Sequence, residues 1–341
     1  MVTVVGEAAL KSGERMTIQL VVPPQEDYAE KLCHFLEHKS DNQLRGIRQR
    51  VHGKYVQHCI DKYFIGEMGG QIVGQAWYGV PRGRTGIGNF GHVYTEPCHR
   101  RKGITNALMK VLVEDFARED NAKCVLCSAG EVAGAIYAKF GFQFIVPGAK
   151  SGGMALLKKG VAKDFAELEE KYFAPGLAVK VREGDIGDRH DCDRMLDLSQ
   201  GMKELRARWH TVFIAHQVPT FIDALFCVED GKGLTTVIEN SAGSILGYAF
   251  VLNLGSRYEG EFKVMDFVLH PNYLSHAAFF AGETVKIAQK AGIPETHAFV
   301  ASCDSKKVAA LRDAGFREEY RFTDKFVLAE KRYDIVVLRS R

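Results

Sequence analysis

Hydrophobic positions recur at two periods along this chain, and each change of period marks an element. Met16 to Val22 alternates well enough for a strand, which Pro23-Pro24 ends. Tyr28, Leu32, Phe35 and Leu36 then fall at helical spacing, and a basic run from Leu44 to Lys54 continues that region. Tyr63–Met68 and Gln71–Tyr78, joined by Gly69-Gly70, predict a β-hairpin. A Gly- and Arg-rich loop (81–88) leads to a strand over Asn89–Thr95, closed by Pro97 because proline gives no N–H to a ladder. Leu108, Val111, Leu112 and Phe116 predict a helix, with Lys110, Glu114, Asp115 and Arg118 on its polar side. A short strand, a second helix ending near Phe142, and strands at 143–146 and 154–157 complete the pattern. The alternation of strands and helices predicts an α/β fold, a mixed sheet covered by helices.

A helix from about Val161 to Tyr172, followed by Ala174-Pro175-Gly176, reads as a linker. Beyond it the pattern starts again. Ile72–Trp77 is echoed by Ile245–Phe250, Phe90–Pro97 by Val264–Pro271, and Ala138–Phe142 by Arg312–Phe316. Pro97 and Pro271 lie 174 residues apart, and so do Gly141 and Gly315. A constant register over that distance predicts two copies of one fold, 1–160 and 177–341, joined by 161–176.

Composition narrows the function classes. With 341 residues, 46% hydrophobic and 26% charged, the chain suits a globular protein of two domains. The net charge of +3 is too small to argue for a nucleic-acid partner. No secretory leader is expected at Met1–Glu7, and no apolar run is long enough to span a membrane. The eight cysteines are scattered, and Cys124 and Cys127 are three apart in a strand, on opposite faces. Buried reduced thiols, no metal site and a cytosolic protein are the expectation.

The chemistry concentrates between the strand at Val93-Tyr94-Thr95 and the helix after Gly103. A basic loop, Arg100-Arg101-Lys102-Gly103, opens onto a helix start, whose first N–H groups lack intrahelical partners and carry the positive end of the dipole. Such a turn can hold phosphate oxygens or be a solvated surface. The second copy has Leu274-Ser275-His276-Ala277-Ala278-Phe279 there, with no arginine or glycine, so phosphate binding should be lost or weak in it.

Arg100-x-x-Gly103-x-Thr105 after Pro97 resembles the acyl-CoA pyrophosphate loop of the GNAT superfamily of N-acyltransferases. Ala135–Phe142 resembles the second hallmark of that superfamily, a helix end with Tyr137 leading into Gly141-Phe142. Thr105 stands where Gly or Ala is usual, Glu131 where an Asn often contacts the coenzyme, and Leu311 where the first copy has Tyr137. The resemblance implies tandem GNAT-like domains, each a mixed, mostly antiparallel twisted sheet flanked by helices, with a degenerate second copy. It implies transfer of an acyl group, most often acetyl, from acetyl-CoA to an amine by direct attack. Arg100, Arg101, Lys102, Gly103, Ile104 and Thr105 would hold the diphosphate, Glu131 would sit at the coenzyme, and main-chain groups of Val93, Tyr94 and Thr95 would pair with the pantetheine arm. Tyr137 matches the general acid.

Strand parity puts His92 and Tyr94 on one side and Val93 and Thr95 on the other. His92 titrates near neutrality and can serve as the base, or it is a satisfied structural histidine. Tyr78 and Tyr94 are expected to line the acceptor cleft. Asp266 occupies the register of His92 in the second copy, with a structural or acceptor-lining role. The expected partner is a small-molecule or peptide amine, with no nucleic acid and no membrane; the second copy is left to shape the acceptor pocket or a homodimer surface. A non-catalytic acyl-CoA sensor is the alternative, and acyl transfer to a hydroxyl or another acyl-CoA reaction is a third reading, since a fold does not fix chemistry.

Overall fold

In a computed structural model, residues 1–194, 221–253, 263–328 and 330–340 are described. The chain opens with strands β1 (Val2–Ala9) and β2 (Arg15–Val21), then helices α1 (Glu26–Phe35) and α2 (Asp41–Val51). Strand β1 escaped the sequence reading because most of its side chains are exposed, so no buried face imposes alternation. The expected helical region is two helices, divided at Ser40. The Ser40 hydroxyl accepts from the Gln43 amide and the Gln43 side chain accepts from the Ser40 amide, which satisfies two orphan groups of a new helix start.

The hairpin is present as β3 (Cys59–Met68) and β4 (Gln71–Pro81), followed by β5 (Ile87–Thr95), α3 (Ile104–Arg118), β6 (Cys124–Ala129), α4 (Glu131–Ala138), β7 (Gln143–Phe144), β8 (Gly152–Leu157) and α5 (Phe165–Tyr172). Strand β7 is shorter than the 143–146 expected, and α5 starts four residues later than Val161. The eight strands form one sheet in the order β1-β2-β3-β4-β5-β6-β8-β7, antiparallel except for β5 and β6. Alternate side chains bury opposite faces: Tyr63, Ile65 and Trp77 pack with α1 and α2, while Phe64, Ala76 and Tyr78 pack with α3. Gly74 allows α3 to begin hard against the sheet, since a Cβ there would lie 2.4 Å from the Ile104 side chain.

The chain divides into two compact units, Met1–Leu168 and Glu169–Arg341. The second contains β9 (Val179–Glu183), α6 (Arg189–Arg194), α7 (Phe221–Glu229), β10 (Gly233–Asn240), β11 (Ile245–Leu252), β12 (Val264–Leu269), α8 (Ala277–Lys290), β13 (His297–Ala301), α9 (Ser305–Asp313), β14 (Arg317–Leu328) and β15 (Lys331–Arg339). Its seven strands run in the order β14-β15-β13-β12-β11-β10-β9, again antiparallel except for one pair, β12 with β13. The expected mixed, mostly antiparallel sheets flanked by helices are therefore both present. Among the described residues no helix is long and apolar enough to cross a membrane, and none of the cysteines forms a disulfide.

Candidate functional site

Strands β5 and β6 are parallel neighbours that pair only from Ile87 to Asn89 opposite Cys124 to Leu126, then part. Strand β5 runs on to Thr95, and beyond Asn89 it has no ladder partner on that side among the described residues. Alternation along an antiparallel ladder decides which groups face the gap. Glu96 donates its N–H to Val73 on β4, so the main-chain groups of Tyr94 also point to β4 and those of Val93 and Thr95 point away from it. The gap is a cleft of about 580 Å³ whose walls are β5, the loop before α3, the first turn of α3, and α4.

The sequence-predicted residues Val93, Tyr94, Thr95, Arg100, Arg101, Gly103, Ile104, Thr105 and Tyr137 all line this cleft. The loop takes its shape from two left-handed residues, Arg101 (φ 66°) and Gly103 (φ 97°), the latter serving as the N-cap of α3. As a result the amides from Arg101 to Asn106 find no acceptor among the described residues. A row of such amides at a helix start is an anion cradle, and Lys11, Arg100, Arg101 and Lys139 add cationic side chains around it. Arg100 folds over the strand end, with Nε donating to the Thr95 carbonyl at 3.2 Å and its guanidinium 5.8 Å from the Tyr94 ring centroid.

Tyr137 enters from α4. Its ring meets Phe90 edge-on at 5.0 Å and Phe142 at 5.8 Å, so packing fixes where the hydroxyl points. Burial, reinforced by nearby Cys127, pushes the phenol well above its ordinary pKa. It is therefore protonated throughout the physiological range, as a proton donor must be.

Four expected site residues sit elsewhere. Lys102 turns out of the cleft and donates to Glu14 at 2.8 Å, a hydrogen bond that holds the Glu14 carboxyl below its usual range. Lys11, whose amide donates to the Lys102 carbonyl, lines the cleft instead. Glu131 is exposed at the start of α4 and does not line the cleft, where Val132, Ala133 and Ile136 do. Tyr78 is buried beneath the sheet, not at the acceptor side. It packs on Phe64 and Phe116, and its hydroxyl is hydrogen-bonded to Asp115 on α3.

His92 is the fourth. Strand β5 bulges there: two steps along β4, from Gln75 to Trp77, face three along β5, from Tyr94 to Gly91. The extra residue turns the ring of His92 onto Trp77 on the α1–α2 face, while Phe90, Val93 and Thr95 share the α3–α4 side. An Arg50 guanidinium N–H lies 2.9 Å from His92 Nε2. Arginine can only donate, so Nε2 is the acceptor and the proton of the neutral ring is on Nδ1. The lone pair a general base needs is thereby engaged by Arg50.

Ala133 and Ile136 were within reach of sequence reasoning, because they share a helix face with Tyr137. Lys11, His99 and Asn106 carried no such signal; Lys11 in particular arrives from the β1–β2 turn.

Residues 60–144 match the acetyltransferase (GNAT) domain family. The match runs from β3 to β7, inside the unit that holds the cleft. No curated protein matches the chain. Among solved structures, a GCN5-related N-acetyltransferase from Kribbella flavida is 14% identical, with 48% of this chain and 96% of that chain covered and a TM-score of 0.39. A phosphinothricin acetyltransferase from Sinorhizobium meliloti in complex with acetyl-CoA is 14% identical, with 47% and 86% covered and a TM-score of 0.39. A spermidine N-acetyltransferase from Vibrio cholerae in complex with CoA and spermine is 13% identical, with 47% and 94% covered and a TM-score of 0.37.

Proposed function

We propose that this protein moves an acetyl group from acetyl-CoA to a primary amine, with the chemistry in the unit Met1–Leu168. The observation that carries the reading is the meeting, in one cleft, of unsatisfied amides at the start of α3, an open β5 edge and the protonated Tyr137. Amides from Arg101 to Asn106 hold the coenzyme diphosphate, assisted by Arg100, Arg101 and Lys11. The open edge at Val93 and Thr95 supplies main-chain partners to the amide groups of the pantetheine arm. Acetyl-CoA supplies the acyl carbon that the amine attacks. Tyr137 gives its Oη proton to the sulfur as the carbon–sulfur bond breaks. With His92 committed to Arg50, the acceptor arrives as the neutral amine or loses its proton to water.

In the same reading the second unit is a copy that has lost the diphosphate grip. A cleft of about 570 Å³ lies in the equivalent register, with Phe267, Leu274 and Ala277 in place of Val93, Arg100 and Gly103. Its loop is a 3-10 helix, Pro271–His276, running straight into α8, and the Ala277 amide is spent on the Leu274 carbonyl. Lys307 reaches from α9 to Asp266 at 2.6 Å, and Asp266 caps the Phe267 amide. The Phe267 and Ala277 amides are thus spent within the second copy, at the positions of Val93 and Gly103.

The test is thiol release from acetyl-CoA with a panel of amino acids, polyamines, aminoglycosides and peptides, with the acetylated product identified by mass. Tight CoA binding without turnover on any amine would support a sensor instead.

A further inference from the structure

The bulge that aims β5 at the cleft is held from behind by a residue outside the site. His92 adopts φ 52°, a conformation that non-glycine residues seldom take unless their surroundings impose it. Three contacts impose it. Arg50 donates to Nε2 at 2.9 Å, Gln75 Nε2 donates to the His92 carbonyl at 3.1 Å, and the ring lies on Trp77 at 5.1 Å. Gln75 is fully buried, and its own side-chain oxygen has no hydrogen-bond partner among the described residues, a cost consistent with a group retained for position.

Arg50 is itself locked. It is 5% exposed, its Nε donates to the Tyr63 hydroxyl at 3.2 Å and lies 3.9 Å from Asp61, and its guanidinium stacks 4.8 Å from the Trp77 ring. Asp61 in turn accepts from Trp77 Nε1 at 2.9 Å. The planar fork thus touches β3, β4 and β5 at once, which a lysine could not do.

We infer that Arg50 is a positioning residue for acetyl transfer. Acting through His92, it fixes the bulge that turns the main chain of Val93 and Thr95 toward the cleft, and it contributes nothing to the anion cradle. This inference rests on the proposed transferase reading, but its test has an arm independent of turnover.

The variants are Arg50→Met, Arg50→Lys, His92→Leu and His92→Gln in the full chain. His92→Gln keeps an acceptor for Arg50, whereas His92→Leu removes it without burying an uncompensated charge. His92→Leu and both Arg50 variants should lose about tenfold or more in kcat and also raise KM for acetyl-CoA, because the edge that pairs with the pantetheine arm is displaced, while His92→Gln retains most of both. The Arg50→Met/His92→Leu double variant should be no slower than the worse single one, because both remove one interaction. Independently, hydrogen exchange at the Tyr94 and Glu96 amides, which face β4 next to the bulge, should rise about tenfold in His92→Leu and not at all in α3. Unchanged exchange at those amides overturns the inference whether or not an acceptor amine has been found. Loss of activity in His92→Gln equal to that in His92→Leu also overturns it, since His92 would then act as a base. If Arg50→Met fails to fold, the two His92 variants and the exchange measurement decide alone.

Discussion

The hydroxyls of Thr95 and Thr105 lie 3.0 Å apart, tying the last residue of β5 to the first turn of α3. The strand wall and the anion cradle are thereby linked by a side-chain hydrogen bond. Thr105 stands where the superfamily pattern has Gly or Ala, and the hydroxyl gives this chain a cross-link that those residues could not provide. Thr105→Ala should cost about 1 kcal/mol of stability, the worth of one neutral hydrogen bond, and should weaken coenzyme binding only slightly. Thermal unfolding with and without CoA checks both.

Gly103 is a conformational requirement and not a packing one. At φ 97° a side chain is strained, yet an added Cβ would meet only the Lys11 side chain, at 4.0 Å. Gly103→Ala should therefore fold but bind CoA about tenfold more weakly, through roughly 1–2 kcal/mol of backbone strain. Gly103→Glu, which adds bulk and negative charge at the cradle, should abolish binding; calorimetric titration measures each. Unaltered affinity in Gly103→Glu would place the coenzyme elsewhere.

Tyr137→Phe should lower kcat by about 10²-fold or more while leaving CoA affinity within about twofold, since the ring packing against Phe90 and Phe142 is kept. Burial raises the Tyr137 pKa, so the fold favours the protonated phenol and the acid form persists as pH rises. No alkaline loss of kcat from this group should appear at or below pH 10.0, its ordinary value. A pH–rate profile compared between wild type and Tyr137→Phe tests the assignment.

Lys62 lies between Asp115 at 2.8 Å and Glu119 at 3.0 Å, with all three side chains largely buried beside Tyr78. Lys62→Met would leave two carboxylates there without their cation. It should destabilise the protein by about 3–5 kcal/mol without a specific effect on KM for acetyl-CoA. Denaturant unfolding and steady-state kinetics separate the two effects.

Titration of the intact chain with CoA should saturate at a single coenzyme per chain, and Gly103→Glu should eliminate all of it. Residual binding in that variant would mean that the cleft beside Leu274 also takes the coenzyme.

The amino-acid sequence by itself determined the elements whose signal is local. The β3–β4 hairpin follows from alternation around Gly69-Gly70, the apolar stripe of α3 from its three- and four-residue spacing, and the cradle from a basic loop with Gly103 at a helix start. The position of Tyr137 followed from its motif. Tertiary structure decided everything that depends on distant partners. Lys102 belongs to Glu14, and Lys11 takes its place at the cleft, because β1–β2 meets the loop in space. Strand β5 carries one extra residue, invisible to period counting, and His92 within it meets Arg50 from α2. Spacing along a chain fixes which face a side chain shares with its neighbours; which group waits on that face depends on contacts tens of residues away.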